Sequence, residues 1–200
     1  MLIDIHVHTK EHSKDARLCA QDIVRSAIDA GLDGVVFTDH AYRWTDAELA
    51  ALRESLPPFL ILSGAELIFD SIHMLVFNGL QGDLPRFTDP SALTRCAESR
   101  GGITVVAHAF SRHYRVGSLD ILKSGAQGIE VYNARRASYE IRNVLTAREL
   151  GLAELAGSDE HGPAHGSIGR AATFFPEPVS DSSDIVRQIR ERKTRAWRRV

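Results

Sequence analysis

The stretch LIDIHVHT (2–9) alternates apolar Ile3, Ile5 and Val7 with Asp4, His6 and His8. Successive side chains of a strand point to opposite faces, so the spacing predicts a strand with Asp4, His6 and His8 on one face and the isoleucines and valine on the other. The polar face of an ordinary half-buried strand carries Thr, Lys, Ser or Glu. Here it carries two imidazoles, about 7 Å apart along the backbone by the strand rise. Two rings at that spacing can converge on one cation, although a lone His-x-His also occurs by chance. The rest of the chain has to decide.

Further short apolar runs follow: GVVFTD (34–39), FLILSGAE (59–66), HMLVFN (73–78), GITVVAH (102–108), GIEVYN (128–133), LAELAGSD (152–159), RAATFF (170–175) and RAWRRV (195–200). Helical patterns lie between them. In TDAELAAL (45–52), Thr45 and Glu48 stand at capping-box spacing. DPSALTRCAESRGG (89–102) opens with Asp89 as cap and Pro90 in the first turn, and stops at Gly101. CAQDIVRSAIDAG (19–31) puts Ile23, Ala27 and Ile28 on one stripe, and SSDIVRQIRERK (182–193) does the same with Ile185, Val186 and Ile189. Strand–helix alternation predicts a mainly parallel sheet with helices outside it, either open or closed into a barrel.

The nine histidines choose between the two. Most fall at the C-terminal end of a run: His6 and His8 on the first, Asp39 and His40 on GVVFTDH, Glu66 on LILSGAE, His108 on ITVVAH, Asp159 and His161 on LAGSDEH. That edge is where parallel α/β folds build their sites. In a barrel all strand ends surround one mouth, whereas an open sheet spreads them along a line. Convergence of so many ligand types therefore favours an α/β barrel. Taken singly, His40 or His108 could be a buried histidine bonded to a carbonyl, and Asp159 a turn aspartate. Together they would bury many titratable groups at a cost that a cation offsets.

Composition sets limits. A chain of 200 residues with 44% hydrophobic content is ordinary for one domain, expected to span 1–200. No apolar run approaches the ~20 residues of a membrane span, and the N-terminus lacks the pattern of a secretory signal, so no membrane association and a cytoplasmic location are expected. Cys19 and Cys96, the only cysteines, suit neither a zinc knuckle nor a disulfide framework and are expected as small core residues. A net charge of −2 points to no polyanion partner. The basic run VRQIRERKTRAWRR (186–199) is expected as a solvated helix face and tail.

The set of motifs resembles the polymerase-and-histidinol-phosphatase (PHP) superfamily of metal-dependent phosphoesterases, in the form of its short stand-alone members. DIHVHT (4–9), GLDGVVFTDH (31–40), the His-Ala of VVAHAF (105–110) and GSDEH (157–161) match its successive motifs in order, with GAE (64–66), HMLVF (73–77) and GSIGRAATFF (166–175) between and after them. One departure is Ala109, where relatives usually carry proline. The resemblance implies a distorted seven-stranded β/α barrel and a cluster of two to three divalent ions. Carried over, a first ion takes His6, His8, Glu66 and Asp159; Glu66 bridges to a second held by His73 and His108; a third uses His40 and His161. The loop TKEHSKDARL (9–18) completes the third, with Asp15 preferred and His12 the alternative. Glu66, Asp159 and His161 are the expected catalytic groups.

A phosphate ester resists attack because its oxygens are already negative. Adjacent cations neutralise that charge and generate hydroxide near neutral pH, and a carboxylate such as Glu66 can bridge two of them through its two oxygens. Nitrogen and oxygen ligands without thiolate suit zinc, manganese or iron. Asp4 and Asp39 are expected to orient nearby imidazoles. Arg112 and Arg115 after His108, and Asn133, Arg135 and Arg136 after the GIEVYN strand, are the candidates for phosphate contact, since the guanidinium fork matches phosphate oxygens. His113 and His165 are candidates for the rim. The expected function is hydrolysis of a small phosphorylated substrate, with nucleic acid only as a substrate. The alternatives are a nucleotide or oligonucleotide phosphodiesterase or exonuclease, and a non-catalytic metal-binding regulatory module, which would have lost several ligands.

Overall fold

A computed structural model describes residues 1–70, 72–111, 116–136, 140–162 and 166–199. The strands are β1 (Leu2–Val7), β2 (Gly34–Phe37), β3 (Tyr42–Arg43), β4 (Leu60–Phe69), β5 (Ile72–Phe77), β6 (Gly82–Asp83), β7 (Ile103–Ala107), β8 (Gly128–Asn133), β9 (Ala153–Gly157), β10 (Ala171–Phe174) and β11 (Arg195–Arg198). The helices are α1 (Ala20–Asp29), α2 (Asp46–Glu54), α3 (Pro90–Glu98), α4 (Ser118–Ser124), α5 (Glu140–Leu150) and α6 (Ser182–Arg190). All nine apolar runs become strands. The two-residue strands β3 and β6 pair with each other and are too short to show a period.

The main sheet has nine strands rather than seven, in the order β11-β10-β1-β2-β4-β5-β7-β8-β9. The wall from β1 through β2, β4, β5, β7 and β8 to β9 accounts for seven of them. It closes where the chain beyond β9 returns to β1: the N–H of Asp159 donates to His6 O at 2.7 Å and the N–H of His8 to Glu160 O at 3.1 Å. Below this seam β10 lies antiparallel beside β1, and β11 extends the sheet beyond it. Thr173 of β10 stitches that gap to β9, accepting from the N–H of Ala156 and donating to its carbonyl. The two extra strands therefore widen the sheet without adding to the seven-membered wall.

The wall is parallel except at β5, which is antiparallel to both neighbours. This inversion puts the beginning of β5, and with it His73, at the rim where the parallel strands end. It explains why His73 opens its run while His6, His8, His40, His108 and His161 stand at the ends of theirs.

Three apolar layers hold the barrel. Ile3, Ile5, Val36, Leu62, Leu75, Phe77, Val105 and Leu155 converge from six wall strands and pack on Ile185, Val186 and Ile189 of α6. That helix lies at the end opposite the histidines, where Arg190 donates to the carbonyl of Gly102 before β7. Outside the wall, α1 and α2 cover β2 and β4 through Ile23, Val24, Ala27, Leu49 and Leu52, while Leu93, Ile121 and Ala147 of α3, α4 and α5 cover β5, β7 and β8. Each large apolar side chain removed from water contributes about 1.5–3 kcal/mol before entropy is counted.

The helix ends follow the expected chemistry. Thr45 and Glu48 form a complete capping box on α2, and Asp89 caps α3 ahead of Pro90. Two expectations fail locally. Cys19 and Cys96 are half-buried rather than core residues, and Cys19 precedes α1 instead of lying in it. The basic C-terminal segment is only partly a solvated tail. Its helix buries an apolar face, its last part is β11, and Arg187 and Lys193 pair with Glu177. Among the described residues no helix is long and apolar enough to cross a membrane.

Candidate metal centre

A one-residue irregularity in β1 shapes the site. The register with β2 runs Asp4 to Val35 and then Val7 to Phe37, so β1 spends three steps where β2 spends two. Strict alternation therefore breaks. Ile3 and Ile5 face the cluster shared with Leu75 and Phe77, whereas Val7 packs among α1 residues. A bulge of this kind re-aims side chains and recurs beside functional sites. Here it leaves His6 and His8 two residues apart with their Nε2 atoms only 3.1 Å from each other.

Around that pair the rim gathers the other expected groups. Glu66 is the hub. Its Oε1 lies 3.7 Å from His6 Nε2, 2.9 Å from His73 Nδ1 and 3.3 Å from His108 Nε2. Its Oε2 lies 3.4 Å from His8 Nε2 and 3.1 Å from His40 Nδ1. The backbone of Glu66 is pinned to the end of β2, its N–H donating to Asp39 O at 3.0 Å and its carbonyl accepting from Ala41 N at 2.8 Å. Asp159 Oδ1 stands 3.6 Å from both His6 Nε2 and His8 Nε2 and 3.3 Å from His161 Nδ1. Asp15 bridges the outer pair, 3.3 Å from His40 Nε2 and 3.3 Å from His161 Nε2. His12 goes elsewhere: it stacks on Tyr42 and meets Glu48 at 3.0 Å. The loop thus brings Asp15, and not His12, to the cluster.

Among the described residues four sets of donor atoms lie close enough to surround a cation: His6, His8 and Glu66; Glu66, His73 and His108; His8, His40 and His161; and His6, His108 and Asp159. His108 and Asp159 hold their places with positive φ, 30° and 55°. Such backbone strain costs about 1–3 kcal/mol per residue and clusters where geometry is functional.

The electrostatics show how strongly the groups act on one another. Burial pushes His6 down, but Glu130 and Asp159 more than reverse this and hold it well above the ordinary histidine value. His8 goes the other way, held well below by burial and by the neighbouring His6, His161 and His40. Burial would raise Glu66, yet His108, His40, His6 and His73 hold its carboxyl well below the usual range. His40 is raised because Glu66 and Asp15 outweigh its burial. His73 and His161 are lowered, chiefly by burial.

The tautomers implied by the outer contacts test whether these residues fit a cation. Nδ1 of His6 meets Glu130 Oε1 at 3.1 Å, and Nδ1 of His8 meets Ser13 Oγ at 3.3 Å, whose own hydroxyl donates to Asp39 Oδ1 at 2.6 Å. Nδ1 of His161 meets the carbonyl of Asp159 at 2.9 Å. With Nδ1 acting as donor in each, the three Nε2 lone pairs face the common space. Two such lone pairs 3.1 Å apart repel unless a proton or a cation lies between them. The donor set, nitrogen and oxygen without thiolate, fits divalent zinc, manganese or iron.

The outer residues differ from the expected ones. Asp4 accepts from the backbone N–H groups of His6 and Ser158, and burial pushes its carboxyl up to about 7. Asp39 accepts from Thr9, Ser13 and Trp44 Nε1. Neither carboxylate touches an imidazole, and Asp39 reaches His8 only through Ser13. The carboxylate that does bond an imidazole from outside is Glu130. In GIEVYN it looks like any polar strand residue, and nothing local marks it. Glu160, next to Asp159 inside GSDEH, also supports the site without facing it. It accepts from the N–H groups of Gly162, Ser167 and Ile168 and gathers the chain after the last motif.

Of the phosphate candidates, Arg135 places Nη1 3.6 Å from Asp159 Oδ1, and Arg136 places Nε 3.2 Å from Asp159 Oδ2. Both stand at the rim. Asn133 instead is buried, its Nδ2 donating to Glu130 and its Oδ1 accepting from the N–H groups of Arg135 and Arg136. Its amide is committed inside the wall and does not face the mouth. Arg112, Arg115, His113 and His165 lie outside the described residues.

Gly157 is required by close approach. A Cβ there would lie 2.5 Å from His6 Cβ and 3.0 Å from Glu130 Oε1. Gly157→Ala is expected to displace His6, destabilise the fold by about 1–3 kcal/mol as overpacking does, and weaken metal uptake. Thermal melts with and without manganese check this; unchanged melting and unchanged metal response would contradict it.

Comparisons with known proteins agree with this architecture. The family described as PHP-associated matches residues 145–194. No curated protein matches the chain. Among solved structures, a protein from Bifidobacterium adolescentis described as a metal-dependent phosphoesterase is 18% identical at a TM-score of 0.63, covering 95% of this chain and 96% of its own. A two-domain protein from Bacteroides vulgatus, described as containing a PHP-like metal-dependent phosphoesterase, is 18% identical at 0.74, covering 98% of this chain and 64% of its own. Endonuclease Q, in complex with a 27-mer duplex bearing an abasic lesion at the active site, is 15% identical at 0.68, covering 96% of this chain and 57% of its own. The chain accordingly has the fold of the PHP-like metal-dependent phosphoesterases, the group its motifs resemble.

Proposed function

We propose that the protein is a metal-dependent phosphoesterase acting on a small phosphorylated substrate at the histidine-lined end of the barrel. One observation carries the reading: His6, His8, His40, His73, His108 and His161, with Glu66, Asp159 and Asp15, converge on one rim from remote parts of the chain. His6, His8, Glu66 and Asp159 would hold one ion, Glu66, His73 and His108 a second, and His40, His161 and Asp15 a third. Bound divalent ions supply charge neutralisation for the phosphate and a lowered pKa for water.

The chain's own residues supply the rest. Arg135 and Arg136, standing at Asp159, are placed to turn toward phosphate oxygens, and a guanidinium fork holds two of them at once. His161, with Nδ1 bonded to its own chain and Nε2 toward the rim, is placed to hold a cation. The completeness of the donor set favours an enzyme over a non-catalytic regulatory module. A phosphodiester substrate is the second reading, supported by the likeness to Endonuclease Q. The net charge of −2 favours the small ester over a long polyanion.

A panel of aryl phosphate, bis-aryl phosphate, nucleotides and short single-stranded oligonucleotides, assayed with zinc, manganese and iron, tests both. Turnover of monoesters with chelator-sensitive kinetics is the expected result. Cleavage restricted to diesters transfers the conclusion to the second reading, and no turnover with any metal removes both.

A further inference from the structure

Glu130 lies on β8, outside every motif that marks the site, and is fully buried. Its two oxygens serve different partners. Oε1 meets Nδ1 of His6 at 3.1 Å, while Oε2 accepts from the backbone N–H of His108 at 2.9 Å and from Nδ2 of Asn133 at 2.9 Å. Asn133 carries the chain of bonds onward: its Oδ1 accepts from the N–H of Arg135 at 3.1 Å and of Arg136 at 2.8 Å. An unbroken series therefore links the ring of His6 and the strained backbone of His108 to the turn that holds both arginines.

We propose that Glu130 and Asn133 are positioning residues that assemble the cation-facing histidines and the arginine turn as one unit. The proposal rests on the metal-dependent reading above. A carboxylate on Nδ1 fixes the tautomer of His6, aims its Nε2 lone pair at Glu66, His8 and Asp159, and raises its basicity as a ligand. The amide of Asn133 admits one orientation only, because Nδ2 must donate to the carboxylate and Oδ1 must accept from the turn. A Cβ at position 157 would stand 2.5 Å from His6 Cβ and 3.0 Å from Glu130 Oε1, so the glycine leaves the space in which the pair meets.

A carboxylate can accept from all three donors, His6 Nδ1–H, His108 N–H and Asn133 Nδ2–H. A glutamine has one acceptor oxygen and must present its own NH2 to at least one of them. Glu130→Gln in the full-length protein is thus expected to weaken manganese binding by about 10–100-fold, the usual effect of losing an outer partner of a ligand histidine. At saturating manganese kcat is expected to fall less than manganese affinity does, because the reacting groups remain. Asn133→Ala is expected to raise KM for an aryl phosphate about tenfold at saturating manganese, as loss of a hydrogen bond to a charged group does, with a smaller change in manganese affinity than in Glu130→Gln.

Calorimetric titration with manganese chloride, steady-state kinetics and circular dichroism of the three proteins read this out. A folded Glu130→Gln variant that binds manganese as the parent does, or an Asn133→Ala variant with unchanged KM, overturns the proposal. A measurement free of substitutions stands beside them. Nitrogen-15 spectra of the zinc-loaded parent should place the His6 ring proton on Nδ1, and a proton on Nε2 overturns the assignment. If the parent takes up neither manganese nor zinc, the metal-dependent reading itself fails and this proposal falls with it. Metal uptake by the parent with no effect of Glu130 overturns only the proposal.

Discussion

Glu66→Ala is expected to abolish metal-dependent hydrolysis while the barrel remains folded. Among the described residues no other carboxylate of the cluster meets so many imidazoles: five, those of His6, His8, His40, His73 and His108, lie within 3.7 Å of its two oxygens. Loss of an outer partner of a metal ligand costs about 10–100-fold in affinity or activity. Loss of a carboxylate shared between two sites should exceed that range, because both sites lose an anionic donor and the separation between them is no longer set. Alanine also removes the anion that, together with Asp15, holds His40 above the ordinary histidine value against its burial. The check is hydrolysis of an aryl phosphate across a manganese series, with circular dichroism as the folding control. Activity within tenfold of the parent in a folded variant would contradict the shared-ligand arrangement.

Metal affinity is expected to rise steeply with pH. His6 and His40 are both held above the ordinary histidine value of 6.5, so in the cation-free protein they keep their protons through and above that pH. A cation must displace those protons to reach the same nitrogens. Below the raised values each displaced proton lowers apparent affinity tenfold per unit of pH, so two displaced together give about 100-fold per unit. The dependence is lost once pH passes the folded-state values. His8, His73 and His161 are held below 6.5 and are already neutral there, so they add no such dependence near neutrality. Titration calorimetry between pH 6 and 8, in buffers of different ionisation heat, measures both affinity and proton release. A flat affinity with no protons released would mean that the raised histidines are not where the cation binds.

How far the sequence revealed this molecule depends on what each residue leans on. The wall strands were legible because each is an apolar run bounded by turn residues. The helices α1, α2, α3 and α6 were legible from caps and apolar stripes. Helices α4 and α5 were not, because their apolar residues do not keep to one side: Leu119, Leu122, Ile141 and Leu145 are exposed. The gathering of imidazoles and carboxylates at one rim was legible because parallel strands end together, and even the inverted β5 delivers His73 to the same rim.

The supporting groups were not legible, because their roles depend on contacts across the barrel. Glu130 reads locally as an alternating strand residue, yet His6 is its partner 124 positions away. Asp39, expected to orient a nearby imidazole directly, reaches His8 only through Ser13, which stands between them. The bulge in β1 was invisible as well. It depends on pairing with β2, and the alternation of LIDIHVHT looks unbroken on paper.

The central claim is that the rim holds divalent cations, and anomalous diffraction from crystals grown with manganese or zinc tests it most directly. The account predicts at least two anomalous peaks about 3.5–4 Å apart, one on either side of Glu66, with His6 and His8 beside one and His73 and His108 beside the other. A well-occupied soak with no peak among these side chains would contradict it.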